Sequence, residues 1–90
     1  MPIEVRIPTI LRPYTKDQKT VEASGSTLTA VIADLDANYA GLSERLLENG
    51  ALRRSINIYI NDEDVRFLGG LEAQINDGDS MTILPAVAGG

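Results

Sequence analysis

Residues 19–41 read KTVEASGSTLTAVIADLDANYAG, and the hydrophobic period changes inside this stretch. Residues 19–24 (KTVEAS) suit a strand. From Leu28 onward the apolar positions are Leu28, Val31, Ile32, Leu35 and Tyr39, a repeat near 3.6 that covers one face of a helix. Ser26 or Thr27 can cap the helix by accepting a hydrogen bond from an orphan backbone N–H. Gly41 is expected to end it. Asp34 and Asp36 lie two apart on this helix, so they point away from each other and do not form a carboxylate pair.

On the N-terminal side, residues 3–11 (IEVRIPTIL) place Ile3, Val5 and Ile7 on one face and Glu4 and Arg6 on the other, the alternation of a half-buried strand. Pro8 removes a ladder donor, so the strand is expected to bend or bulge there. Residues 12–18 (RPYTKDQ) are turn-like, and with 19–24 they complete a hairpin with a long loop.

On the C-terminal side, LSERLLENG (42–50) adds a short helical turn with Leu42 and Leu46 facing inward. SINIYIN (55–61) alternates again, with Ile56, Ile58 and Ile60 inside and Asn57, Tyr59 and Asn61 outside. Residues 62–64 (DED) read as a turn, VRFL (65–68) as a short strand, Gly69–Gly70 as a second turn and LEAQI (71–75) as one helical turn. NDGD (76–79) reverses the chain into SMTILP (80–85). There Met81 and Ile83 face the core, and Leu84 falls on the opposite face. Hairpin, helix and then two or three strands, with no repeat or linker, make an α+β domain of two layers. One main helix packed on one face of a mixed four- to five-stranded sheet is a β-grasp, ubiquitin-like roll.

Composition restricts what such a domain can do. Ninety residues make one domain with an aliphatic core, since the chain has one Phe, three Tyr and no Trp. The absence of Cys excludes a disulfide framework, a thiolate nucleophile and a cysteine-ligated zinc. The absence of His removes the usual general base and the commonest metal ligand. No Walker lysine loop is present, and a net charge of −5 disfavours nucleic acid and anionic membrane. Asp62, Glu63 and Asp64 lack the spacing of a calcium loop, and turn chemistry accounts for Asp77 and Asp79, so no metal site is expected. Arg53, Arg54 and Arg66 read as solubilising charge. Glu4 and Arg6 interrupt the first apolar run, so no export signal is expected there and the default location is cytoplasmic.

The end of the chain narrows the choice. NDGDSMTILPAVAGG (76–90) resembles the last strand and tail of the ubiquitin-like sulfur carriers of the MoaD/ThiS superfamily, which finish in a short apolar tail and Gly-Gly. IPTILRP (7–13), ANYAGLSERL (37–46), NIYINDEDVRF (57–67) and ILPAVAGG (83–90) are most similar to the actinobacterial carriers of cysteine biosynthesis. The resemblance implies a protein cosubstrate and not an enzyme, with a β-grasp domain at 1–85 and a flexible tail at 86–90. An E1-like enzyme of the MoeB/ThiF type would adenylate the Gly90 carboxylate with its own ATP and Mg, the carrier binding no cofactor. A sulfur donor would then displace AMP and leave a thiocarboxylate. The sulfur would pass to a PLP enzyme of the cysteine synthase type, with a metalloprotease releasing the product. Pro85 is followed by Ala86 where the MoaD tail has a second Pro, which weighs against a molybdopterin synthase subunit. Delivery to molybdopterin, thiazole or a sulfur-containing natural product, or conjugation through Gly90 as a ubiquitin-like modifier, are the alternatives.

The physical logic of the tail agrees. Gly89 and Gly90 offer no Cβ to clash in a tight channel, and Ala86, Val87 and Ala88 carry no charge into a phosphate-filled site. Ordering such a tail costs about 1–2 kcal/mol per residue in backbone entropy. Affinity must therefore come from the folded surface, for which Leu84, Pro85 and Tyr59 are the candidates.

Overall fold

In the computed structural model, which describes residues 2–86, the first alternation becomes strand β1 (Ile3–Arg6), paired antiparallel with β2 (Thr20–Ala23). The first strand is shorter than its apolar pattern. Ile7 still donates to the Lys19 carbonyl at 2.8 Å, but from Thr9 to Thr15 the chain winds into a 3-10 helix that Leu11 closes onto Pro8. Pro8 supplies a fixed φ and no donor, so the ladder ends and a helical turn begins in its place. The segment expected as strand at 8–11 is thus helical. Leu11 and Thr15 turn inward, and the buried Thr15 hydroxyl lies 3.3 and 3.0 Å from the carbonyls of Arg12 and Gln18.

Helix α1 (Leu28–Asn38) starts where the stripe begins. Thr27 is the cap: its hydroxyl accepts from the Ala30 N–H at 3.2 Å. Leu28, Val31, Ile32 and Leu35 are buried, whereas Tyr39 caps the far end half-exposed. The two helix carboxylates have separate structural tasks. Asp34 accepts from the Ser24 N–H at 2.9 Å and ties β2 to the helix. Asp36 accepts from the Gly41 and Ser43 N–H groups at 3.0 and 3.2 Å, bridging to α2 (Leu42–Leu46). The hydrogen bonds from Ser43, and then from Gly41, hold the Asp36 carboxyl below its ordinary 3.8.

Helix α2 buries Leu42 and Leu46 as expected but stops there. Residues 47–50 do not continue it. Leu47–Glu48 (β3) and Ala51–Leu52 (β4) form a small hairpin around Asn49 and Gly50, whose φ angles are +54° and +79°. Asn-Gly is the pair a tight type I′ turn demands, and the two leucines directly opposite each other pack against the core.

Strand β5 (Ile56–Ile60) has the expected in-and-out pattern. The turn after it lies at Asn61 and Asp62, both with positive φ, so Glu63–Asp64 is a short strand (β6) and not part of the turn. Residues 65–67, expected as strand, form a 3-10 turn because the Asp64 carboxylate accepts from the Arg66 N–H at 2.8 Å. Residues 70–72 make another 3-10 turn. The NDGD reversal is held by Asp79, which accepts from the Asn76 N–H at 2.8 Å and from the Asn61 side-chain amide at 2.9 Å. The Asn76 bond, followed by that of Asn61, holds its pKa down.

Strand β7 (Ser80–Pro85) then enters the middle of the sheet, whose order is β2-β1-β7-β5-β6. It runs parallel to β1 and antiparallel to β5. Helix α1 lies across one face, over Val5, Ile58, Met81 and Ile83, all essentially sealed from solvent. Burial of each such side chain is worth about 1.5–3 kcal/mol. A hairpin and helix clasped around a central strand from the chain's end is the β-grasp arrangement, with five strands in its main sheet.

Candidate functional site

Strand β7 outlasts its neighbour β1. The last β1–β7 pair is Arg6 with Thr82, after which Pro8 turns the N-terminal segment away. Leu84 and Pro85 therefore continue with a strand on one side only, where they pair with Asn57 and Ile56 of β5. Ala86 donates to the Ser55 carbonyl at 2.8 Å and carries the pairing one residue further. Successive N–H groups point to opposite edges, so the missing donor of Pro85 faces the side where β1 has ended. Proline at this position costs no hydrogen bond, and the tail leaves from a firmly held root.

Two clefts flank that root. One, of about 550 Å³, lies where β1 ends and has Ile7, Ile10, Leu84 and Pro85 in its wall beside Arg6, Arg12 and Lys19. The other, of about 390 Å³, lies between Tyr14, Arg45, Arg53, Ile56, Pro85 and Ala86. Arg45 donates from Nε to the Tyr14 hydroxyl at 2.7 Å, with its guanidinium carbon 5.4 Å from the ring centre. Arg53 donates to the Glu44 carbonyl at 2.8 Å, so this half-buried residue braces α2 as well as carrying charge. Arg66 likewise reaches across to Asn57 at 2.8 Å.

The candidate docking residues fall together on the face away from α1. Tyr59 pairs with Thr82 and Leu84 with Asn57, so the two side chains are diagonal neighbours on that face. Both line one shallow cleft with Arg6 and Thr82. Leu84 keeps 44% of its surface in solvent, while Tyr59 is half-buried. Pro85 is exposed and Ala86 half-exposed. Val87, Ala88, Gly89 and Gly90 lie outside the described residues. Ile10 was not among the expected site residues, yet it is 61% exposed and stands in the walls of both root clefts. Its signal was the bracketing by Pro8 and Pro13, which leaves no room for a strand to bury it. Phe67, 81% exposed, is the most solvent-open of the large apolar residues among the described residues and stands apart from both clefts. Among the described residues no helix is long and apolar enough to cross a membrane.

Residues 5–90 match the ThiS family. The sulfur carrier protein CysO of Mycobacterium tuberculosis (strain H37Rv) is 66% identical over 93 residues, an alignment covering all of both chains. The crystal structure of the Amycolatopsis orientalis BexX/CysO complex contains a chain with a TM-score of 0.93 and 56% identity, covering 98% of this chain and 99% of that one. The small archaeal modifier protein 3 of Haloferax volcanii is 37% identical over 65 residues, 72% of this chain and 71% of the relative. With the β-grasp fold, the strand that delivers the tail and a match over nearly the whole length, the chain belongs to the ThiS family of ubiquitin-like sulfur carriers.

Proposed function

We propose that this chain carries sulfur for cysteine assembly as a thiocarboxylate on Gly90. The observation that carries the reading is the 66% identity to CysO over the full alignment. The chemistry has two steps. The Gly90 carboxylate attacks the α-phosphorus of ATP on an E1-like enzyme of the MoeB/ThiF type, giving an acyl adenylate and pyrophosphate, with Mg supplied in that enzyme's site. A sulfur nucleophile then adds to the acyl carbon and AMP departs, leaving –COSH. Adenylation is needed because a free carboxylate has no adequate leaving group.

The described residues support the binding half of this scheme. Ala86 is anchored at Ser55, so the tail starts from a defined point and direction. Leu84, Pro85 and Tyr59 lie on the open face beside it, where they can bury against a partner without disturbing the core. Catalytic groups come from partners: the adenylating enzyme, then a PLP enzyme of the cysteine synthase type as acceptor, then a metalloprotease. The CysO relative's crystallisation in a complex with BexX is in keeping with docking of whole proteins onto this fold.

The test is mass analysis after incubation with the E1-like enzyme, Mg-ATP and a sulfur source. One oxygen of the C-terminal peptide should be replaced by sulfur. No incorporation, or sulfur elsewhere in the chain, would overturn the reading. A second reading, conjugation to lysine through Gly90, is favoured by the likeness to a small archaeal modifier protein. It predicts covalent protein adducts in place of free thiocarboxylate in the same experiment.

A further inference from the structure

The chain has thirteen acidic residues and eight basic ones, but the basic ones are not spread evenly. Arg6, Arg12 and Lys19 line the cleft on one side of the tail root, and Arg45 and Arg53 line the cleft on the other. No Asp or Glu lines either cleft. Two of the five also face a carboxylate, Arg6 lying 3.9 Å from Glu4 and Arg53 3.9 Å from Glu48, in long pairs whose carboxylates stay exposed and which are worth little. On the open face Glu4 and Glu22 sit directly opposite each other on β1 and β2, a like-charge pair that the fold tolerates, with Glu4 also reaching Arg6, and Asp62 shares the cleft of Tyr59 and Leu84.

Resting on the carrier reading, we infer that this basic collar docks on an acidic rim around the mouth of the channel that receives the tail in the adenylating partner. The collar surrounds the root of the tail and not its tip. Threaded fully extended into a channel, residues 87–90 would carry the reacting carboxylate about 14 Å beyond the collar. That distance exceeds the Debye length of about 8 Å at physiological salt, so the collar acts on the protein around the channel and not on the nucleotide phosphates at its end. The apolar patch of Ile10, Leu84 and Pro85 lies between the cations, giving a docking surface with an apolar centre and a charged rim. The partner chemistry that fits is a ring of Asp and Glu around an apolar mouth.

Arg12 and Arg53 also donate to the backbone carbonyls of Ile7 and Glu44, so the test uses Arg6 and Lys19, both exposed. Pyrophosphate release by the E1-like adenylating enzyme is measured against carrier concentration at low and high salt. The variants are Arg6→Gln/Lys19→Gln, the reversal Lys19→Glu, and Glu4→Gln, which releases Arg6 from its ion pair. Removing two rim charges should lower kcat/KM about tenfold at low salt through KM, with kcat within about twofold, and the difference should vanish at high salt. Lys19→Glu should also raise KM, and Glu4→Gln, which frees Arg6, should leave kcat/KM equal or higher. An unchanged KM in both collar variants, or a loss confined to kcat, would overturn the inference. So would a short single-stranded DNA that binds the parent tightly and the collar variants weakly while adenylation is unaffected, since the collar would then be a polyanion site. A parent chain that is not adenylated at any salt overturns the carrier reading itself, and the collar's role with it.

Discussion

On the inner side of β7, Met81 and Ile83 are sealed beneath α1, while the next residue, Leu84, keeps 44% of its surface in solvent on the outer side. The same strand thus serves two surfaces under different rules. On the inner face the requirement is volume: aliphatic side chains from both layers interlock, and every methylene removed leaves a hole. On the outer face the requirement is charge and access. Polar and charged residues of both signs and one open leucine leave the fold indifferent to most substitutions. Under the proposed function, stability and partner recognition are therefore separable in this molecule, residue by residue.

The largest expected effect lies at the end of the outer region. Deleting Gly90, or adding a residue after it, should abolish thiocarboxylate formation and leave the melting temperature unchanged, because the packed core is already complete among residues 3–83. Pyrophosphate release and intact mass on the same sample are the checks. An extended chain converted as fast as the parent, with its extra residue still present, would break the division.

Next comes the inner face. Ile83→Ala should destabilise the domain by about 2–5 kcal/mol, the range for truncating a buried aliphatic residue, while docking per folded molecule is preserved. Urea titration against the parent measures it. Gly25→Ala sharpens the point by steric means: a Cβ there would stand 2.7 Å from the Val31 nitrogen and 2.9 Å from the Ala30 carbonyl carbon. Backbone atoms at the start of α1 cannot yield, so a loss of about 1–3 kcal/mol is expected, as for overpacking. A neutral result would mean that the β2–α1 junction is looser than its geometry.

Leu84→Glu is the counterpart on the outer face. Because only 44% of Leu84 remains to be buried, docking should weaken by about 1 kcal/mol, roughly fivefold in affinity, with an unchanged melting temperature. A fall in melting temperature with unaltered affinity would assign Leu84 to the core.

The smallest effect is in pH. Asp36 and Asp79 have their carboxyls held below 3.8 by backbone and side-chain N–H donors, so folding favours their ionised forms. Their contribution is complete above the ordinary carboxylate range and is lost as pH falls through the lower native values. Asp36→Asn keeps an acceptor for Gly41 and Ser43 but cannot titrate, so its melting temperature should fall less steeply below about pH 4 than the parent's. Parallel curves would remove Asp36 as a contributor.

Much of the fold was legible because it rests on periodicity. The stripe from Leu28 to Leu35 and the alternations at 3–7, 56–60 and 81–84 each state which side chains are buried, and the structure agrees. Three of the misread segments misled for local reasons. Residues 8–11 kept an apolar character suited to a strand, but Pro8 redirected them into a 3-10 helix. Asn49–Gly50 was a hairpin signal hidden behind a leucine-rich run that reads as helix. Residues 65–67 became a turn because the Asp64 carboxylate captured an N–H. Each depends on one side chain or one proline, where a pattern summed over a window is blind.

At the tail root, the outward placement of Leu84 and Tyr59 was legible from alternation. Ile10 and the collar were not. Arg6, Arg12, Lys19, Arg45 and Arg53 are spread over nearly fifty positions of sequence and converge only when β1 stops short of β7 and α2 folds beside the Thr9–Thr15 helix. The sequence by itself determined the layer order and the buried stripe, because these follow from periods along one dimension. Only the tertiary structure decided that charge gathers around the place where the tail departs, since Coulomb interactions depend on distances through space, and those are set by how the strands end and pack.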